Sequence, residues 1–145
     1  MEKSIPQRRT RIMIFGTFDG LHPGHFNFFK QARALAKRCF LIVSIARDKN
    51  VIKIKNKRPF LNEKQRMILV KKCKLVDKAV LSGTKNHIPH IVKAYPDIIA
   101  LGYDQKAYVK NLKKDLKNIT VKIMRLKPYK EQVYKNNLLK IKRKK

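Results

Sequence analysis

Acidic residues are scarce in this sequence: nine Asp and Glu stand against 37 Lys and Arg, a formal net charge of +28 over 145 residues. Tryptophan is absent, and there are only two cysteines. Cys39 and Cys73 are too few for a disulfide framework and have no metal-ligand spacing, which excludes a stapled secreted scaffold and a zinc ribbon. Both read as small core residues of a reduced, cytoplasmic protein. The first eleven residues are polar, so no signal peptide is expected. Long hydrophobic runs are missing too: residues 40–46 fall far short of the ~20 that a membrane helix needs. Disorder is excluded from the other side, because 43% of the residues are apolar. One domain over residues 1–139 is expected, with 140–145 as a basic, solvated tail.

The positive excess is spread along the whole chain. A lysine-biased composition explains that spread, and a polyanionic ligand is the next reading. Nucleic acid is the least favoured partner, since the sequence has no Arg-rich stripe and no aromatic RNA-binding signature.

Apolar runs alternate between two kinds. Residues 11–15, 40–46, 78–81, 97–101 and 121–126 are short continuous runs that read as buried strands. Between them, residues 26–36 read as a helix with Phe26, Phe29, Ala32, Leu35 and Ala36 on one face. Asn62 and Gln65 form a capping-box pattern for a helix through residue 72. Residues 87–95 read as a short helix with Pro89 in its first turn. Residues 108–116 and 132–142 are expected to be helical, and 49–58 reads as a basic stretch. Five strands separated by helices predict an α/β fold: a single Rossmann-like, doubly wound domain on a five-stranded parallel sheet. Ligands in such sheets sit outside the carboxyl ends of the strands, at the switch in strand order. The loops after the first, second and fourth strands should converge there.

The loop after the first strand, Gly16-Thr-Phe-Asp-Gly-Leu-His-Pro-Gly-His25, is the most informative segment. It joins a buried strand to a helix, where backbone amides can meet an anion. Gly16, Gly20 and Gly24 permit close backbone approach, and His22 and His25 can donate hydrogen bonds to phosphate oxygens. A metal site or a plain helix cap are the alternatives, and a metal would find only Asp19 nearby as a further ligand. No metal-binding residues are therefore assigned. Lys53 and Lys55 alternate with Ile52 and Ile54, and either face the phosphate loop or form the solvent side of an extended segment. Arg66 stands at a helix start, where a cation opposes the macrodipole, which favours a phosphate-directed role. Gly102 and Asp104 follow the fourth strand, with Asp104 placed to accept from a ribose or base. Tyr129 and Tyr134 can stack on a ring or fill a half-buried position. His87 and His90 read as surface or packing residues.

The ten-residue loop resembles the signature of the cytidylyltransferase-like nucleotidyltransferases, relatives of the H-I-G-H aminoacyl-tRNA synthetases. Lys53-Ile-Lys55, Pro59 and Asn62-Glu-Lys-Gln-Arg66 resemble that family's lysine loop and the helix entrance after it. Leu101-Gly-Tyr-Asp-Gln105 is similar to the archaeal-type FAD synthases within the family. The resemblance implies transfer of a nucleoside monophosphate from a nucleoside triphosphate to a phosphate-bearing acceptor, with ATP and FMN giving FAD. The alternatives are a CTP-dependent enzyme acting on glycerol 3-phosphate or a similar phospho-alcohol, and a basic nucleic-acid-associated protein. The implied catalytic residues are His22, His25, Lys53, Lys55 and Arg66. The implied nucleotide-binding residues are Gly16, Thr17, Phe18, Asp19, His22, Pro23, Gly24, His25, Gly102, Asp104 and Tyr134. Mg²⁺ or another divalent cation would bridge the phosphates through water. No membrane partner is expected, and homodimerisation stays open. Two positions depart from the family pattern. Asn56 stands where Gly often follows the second lysine, and Tyr134-Lys-Asn-Asn137 stands where Ser or Thr usually opens the last helix.

Overall fold

The computed structural model describes residues 8–83, 87–103, 105, 114–116 and 119–128. Among the described residues there are five strands: β1 Thr10–Gly16, β2 Cys39–Ile45, β3 Lys78–Leu81, β4 Ile98–Leu101 and β5 Lys122–Arg125. They pair in parallel in the order β3-β2-β1-β4-β5. The chain runs outward from β1 to β3, then returns to lay β4 on the other side of β1. That reversal opens a crevice between the carboxyl ends of β1 and β4, where such sheets take ligands.

Period-two alternation sends the two faces of each strand into separate cores. Ile12 and Ile14 join Leu41, Val43 and Ile45 under Phe29 and Ala32 of α1 (Pro23–Arg33) and Val70 of α3 (Glu63–Lys71). Met13 and Phe15 face the other way, onto Ile42, Ile99, Leu101 and Ile91 of α4 (Ile88–Ala94). Each fully buried aliphatic or Phe side chain contributes roughly 1.5–3 kcal/mol, so two such faces support a parallel sheet without staples. The doubly wound α/β reading of the sequence therefore stands. Both cysteines are free, with Cys39 buried as expected. Among the described residues, no helix is long and apolar enough to cross a membrane.

Three local expectations need correction. Helix α1 starts three residues earlier than the apolar periodicity suggested, because His22 caps it and Pro23 fits the first helical position without needing a donor. It also stops at Arg33, after which Leu35 and Ala36 bond three residues back in a tighter turn. The largest correction concerns the basic stretch, much of which is helix α2 (Asp48–Lys55) and not a loop or extended segment. Asp48 favours its first turn, and Lys53 and Lys55 favour its last. Asn56 ends it in the left-handed conformation, φ 54 and ψ 32, which Asn tolerates better than most residues. That explains how Asn serves where the family pattern has Gly. The expected final helix and most of the one over 108–116 lie outside the described residues.

Candidate active site

The loop from Gly16 to His22 is anchored from below by its own aromatic residue. Phe18 adopts φ 54, and its ring packs on Phe29 and edge-on to His25. A Cβ at Gly16 would lie 2.6 Å from that ring, so only glycine fits there. A strained Phe held by core packing keeps the loop in one shape.

At the top of the loop the two imidazoles cap each other's turn. The Gly24 amide donates to His22 Nδ1 at 3.0 Å, and the His22 amide donates to His25 Nδ1 at 3.2 Å. Their rings stack at 3.8 Å between centroids. Because each Nδ1 accepts a hydrogen bond, each neutral ring carries its proton on Nε2. Burial, and secondarily the neighbouring His22, push the His25 imidazole down to about 4. His25 is therefore a neutral donor at physiological pH. The geometry also corrects one expectation: the Gly24 and His25 amides are consumed by the cap, the latter on the His22 carbonyl, so these two do not serve as free anion donors.

Helix α2 is locked to α3 by reciprocal capping. The Asp48 amide donates to Glu63, and the Glu63 amide donates to Asp48, so each acid caps the other's helix. Arg66 joins the same knot. Its guanidinium is 0% exposed and donates to the carbonyls of Leu61 and Thr17 and to Asp48 Oδ1 at 2.7–3.0 Å. The phosphate-directed role expected for Arg66 is thereby corrected. Its charge at a helix start is met by a carboxylate and two carbonyls, and it fixes the Gly16–His22 loop to α2 and α3. Asp19 does similar work from the loop side, accepting the Phe60 and Leu61 amides. Burial would raise its carboxyl, but those amides, with Arg66 and Lys55 nearby, hold it below the usual carboxylate range.

An open cavity of about 640 Å³ lies over the carboxyl ends of the strands. Of the residues singled out in the sequence, Gly16, Thr17, Phe18, Asp19, His22, Gly24, His25, Lys55 and Gly102 line it. Pro23 and Lys53 do not. On a helix, residues two apart point about 200° from each other, so only Lys55 of the lysine pair faces the cavity. Asp104 and Tyr134, with Tyr129 and Asn137, lie outside the described residues. His87 and His90 do not line the cavity, but His90 packs behind its wall, with Nε2 2.8 Å from Ser44 Oγ.

Several lining residues escaped the sequence reading. Ser44 and Ser82 stand at the ends of β2 and β3, where the strand-end rule could have found them. Gln105 accepts from the Gly102 amide and donates to the Phe15 carbonyl, stitching β4 to β1 across the crevice. Gln31 of α1 pairs with both backbone groups of Lys127, which brings the segment after β5 to the cavity. Gln105 stands in the Leu101-Gly-Tyr-Asp-Gln105 string without a role assigned to it, and no local sequence signal announces Gln31. For a divalent ion, the donors present argue against a protein cage. Asp19 is the one carboxylate lining the cavity among the described residues, and amides occupy both its oxygens. No group of three His, Cys, Asp or Glu could hold a metal there among the described residues.

The arrangement defines a class: a doubly wound α/β protein with paired imidazoles and a facing lysine over the switch in strand order. Residues 13–142 match the cytidylyltransferase-like family model, and the chain belongs to that family. Among curated relatives it is 47% identical over 107 residues to the FAD synthase of Methanosarcina barkeri, covering 74% of each chain. It is 43% identical over 122 residues to the FAD synthase of Methanothermus fervidus, covering 82% of this chain and 83% of that one. Among solved structures it is similar to a lipopolysaccharide core biosynthesis protein from Thermoplasma volcanium GSS1. That match has a TM-score of 0.75 and 36% identity, covering 83% of this chain and 98% of the other.

Proposed function

We propose that this protein transfers AMP from ATP to the phosphate of FMN, forming FAD and releasing pyrophosphate. An oxygen of the FMN phosphate attacks the α-phosphorus of ATP, and the bond from that phosphorus to the β-phosphate's bridging oxygen breaks. A phosphomonoester is mostly dianionic at neutral pH, so the attacking oxygen needs no general base. The cavity contains no Ser-His-Asp triad and no carboxylate pair among the described residues, which suits that chemistry.

The observation that carries the reading is the imidazole pair. Two rings with Nδ1 held by backbone amides can each present an Nε2–H to phosphate oxygens without reorganising. Lys55 neutralises charge on the reacting phosphates from the α2 side. Catalysis is then positioning and charge stabilisation. The triphosphate brings its own divalent ion, Mg²⁺ in the first instance, with water completing the coordination. Gly102 and Gln105 shape the nucleoside side, where the sequence also places Asp104 and Tyr134. The two free cysteines suit a reducing, cytoplasmic setting.

The test is a panel of the four nucleoside triphosphates against FMN and glycerol 3-phosphate, read by pyrophosphate release. Turnover of ATP with FMN alone supports the proposal. Turnover of CTP with the phospho-alcohol overturns it in favour of a cytidylyltransferase. Salt-sensitive RNA binding without turnover overturns both.

A further inference from the structure

The ladder between β1 and β4 is short. It pairs only Ile12 with Ile98 and Met13 with Ile99, whereas β1 stays paired with β2 as far as Gly16 and Ile45. The two strands therefore part after Met13 and Ile99, and the crevice at the switch in strand order opens between their ends. Backbone polar groups beside such a gap need water or a side chain to satisfy them.

Gln105 supplies the side chain. Its Oε1 accepts from the Gly102 amide and its Nε2 donates to the Phe15 carbonyl, both at 2.8 Å. The side-chain amide takes the place of a peptide unit of the ladder, with one end on each strand. Gly102 is held from two further directions. Its carbonyl accepts from the Gln105 backbone amide at 3.1 Å and from Arg125 Nη1 of β5 at 2.8 Å. Both backbone groups of Gly102 are thus engaged within the protein, so this wall acts through its place and shape. Gly102, Tyr103 and Gln105 all line the cavity. The sheet has other means of holding β4: all four of its residues pair with β5, and Ile99 and Leu101 are buried in the core.

We propose that Gln105 is a positioning residue that sets the width of this crevice, at the width that takes the nucleoside of the triphosphate. An amide suits the task because it accepts at one end and donates at the other without carrying charge. Without the bridge the ends of β1 and β4 move independently, and the wall beside the nucleoside loses its fixed place. Triphosphate binding then weakens, and discrimination between bases narrows. The proposal rests on the nucleotidyltransferase reading above, and its test separates the two.

The test compares wild type with Gln105→Glu and Gln105→Met. Glutamate can still accept from the Gly102 amide but sets a carboxylate oxygen against the Phe15 carbonyl, and methionine keeps the length and loses both bonds. Steady-state constants are measured for ATP and FMN, with Kd for ATP and for CTP by titration calorimetry without acceptor. In both variants KM and Kd for ATP rise about threefold to tenfold, while kcat and the KM for FMN stay within about twofold, the pattern of a contact made alike in ground and transition states. The preference for ATP over CTP in binding shrinks with them. Constants like those of wild type, a kcat loss at unchanged KM, equal rises in both KM values or an unchanged base preference each overturn the proposal. Loss of the folded state in both variants also overturns it, since the bridge would then hold the domain and not the crevice. If the wild type binds ATP without turning it over with FMN, the FAD-forming reading fails, and the Kd comparison still decides the role of Gln105. If it uses CTP instead, the same comparison is read on CTP. A wild type that binds neither triphosphate overturns both.

Discussion

His22 and His25 sit three residues apart, yet their environments separate their tasks. His22 is exposed and caps a helix, whereas His25 is half-buried against Phe18. Replacing either by Ala removes one oriented donor, and kcat should fall by roughly 10²–10³. Circular dichroism should show an intact fold, because neither ring belongs to the two cores. The low His25 value makes a second, independent prediction. Its folded value lies below the ordinary 6.5, so the unfolded chain binds the extra proton more readily. The stability this group contributes is full above about pH 6.5 and is lost as pH falls toward 4. Proton NMR should show the His25 ring titrating near 4, and the rate should show no inflection from it between pH 5.5 and 8. Lys53 and Lys55 offer a third test. Lys55→Ala should cut kcat sharply, while Lys53→Ala should leave it within about twofold, because helix geometry turns the two side chains apart. Equal losses would mean that α2 does not present its lysines as described.

At the scale of elements, the central device is the pair of helices α2 and α3, each capped by the other's first acid. Arg66 ties that pair to the Thr17 carbonyl of the loop after β1. Removing it leaves Asp48 and two carbonyls short of a donor. Arg66→Ala should therefore destabilise the protein by about 3 kcal/mol, measured by urea denaturation. Arg66→Lys should recover only part of this, since an ammonium cannot reproduce the planar fork. If Arg66→Ala kept full stability while kcat fell, the arginine would act on phosphate after all. The same knot explains why the basic stretch is helical. Asp48 alone is a weak start signal, and Glu63, fifteen residues on, completes it.

Across the whole molecule, five of the described acids are spent on structure. Asp77 holds Arg9, Arg33 and the Leu41 amide, and Asp97 holds Arg8 and the Arg11 amide, all at the amino ends of the strands. Asp19, Asp48 and Glu63 are engaged around the loop after β1. The cavity mouth is left with Lys55, Lys127 and the imidazoles facing polyanionic substrates. Association should be steered by this field. Raising ionic strength should lower kcat/KM for ATP and leave kcat nearly constant, because long-range attraction is screened within about 8–10 Å. Deleting residues 140–145 should affect only that salt-dependent part. A truncation that lowered kcat at high salt as much as Lys55→Ala would assign the phosphate contacts to the chain's end.

The five buried parallel strands and the Asn62 capping box were legible in the sequence, because each rests on a local apolar run or on a side chain reaching its own neighbours. The imidazole pair was legible for the same reason, three residues being one turn. Tertiary structure decided what depends on distant partners. It turned Arg66 from a phosphate ligand into a buried tie, because Thr17 and Asp48 meet it from 49 and 18 residues away. It separated Lys55 from Lys53 by making a helix whose cap lies in another helix. It also brought Gln31, Gln105, Ser44 and Ser82 to one cavity, since the strand order, set by burial of both sheet faces, determines which strand ends become neighbours.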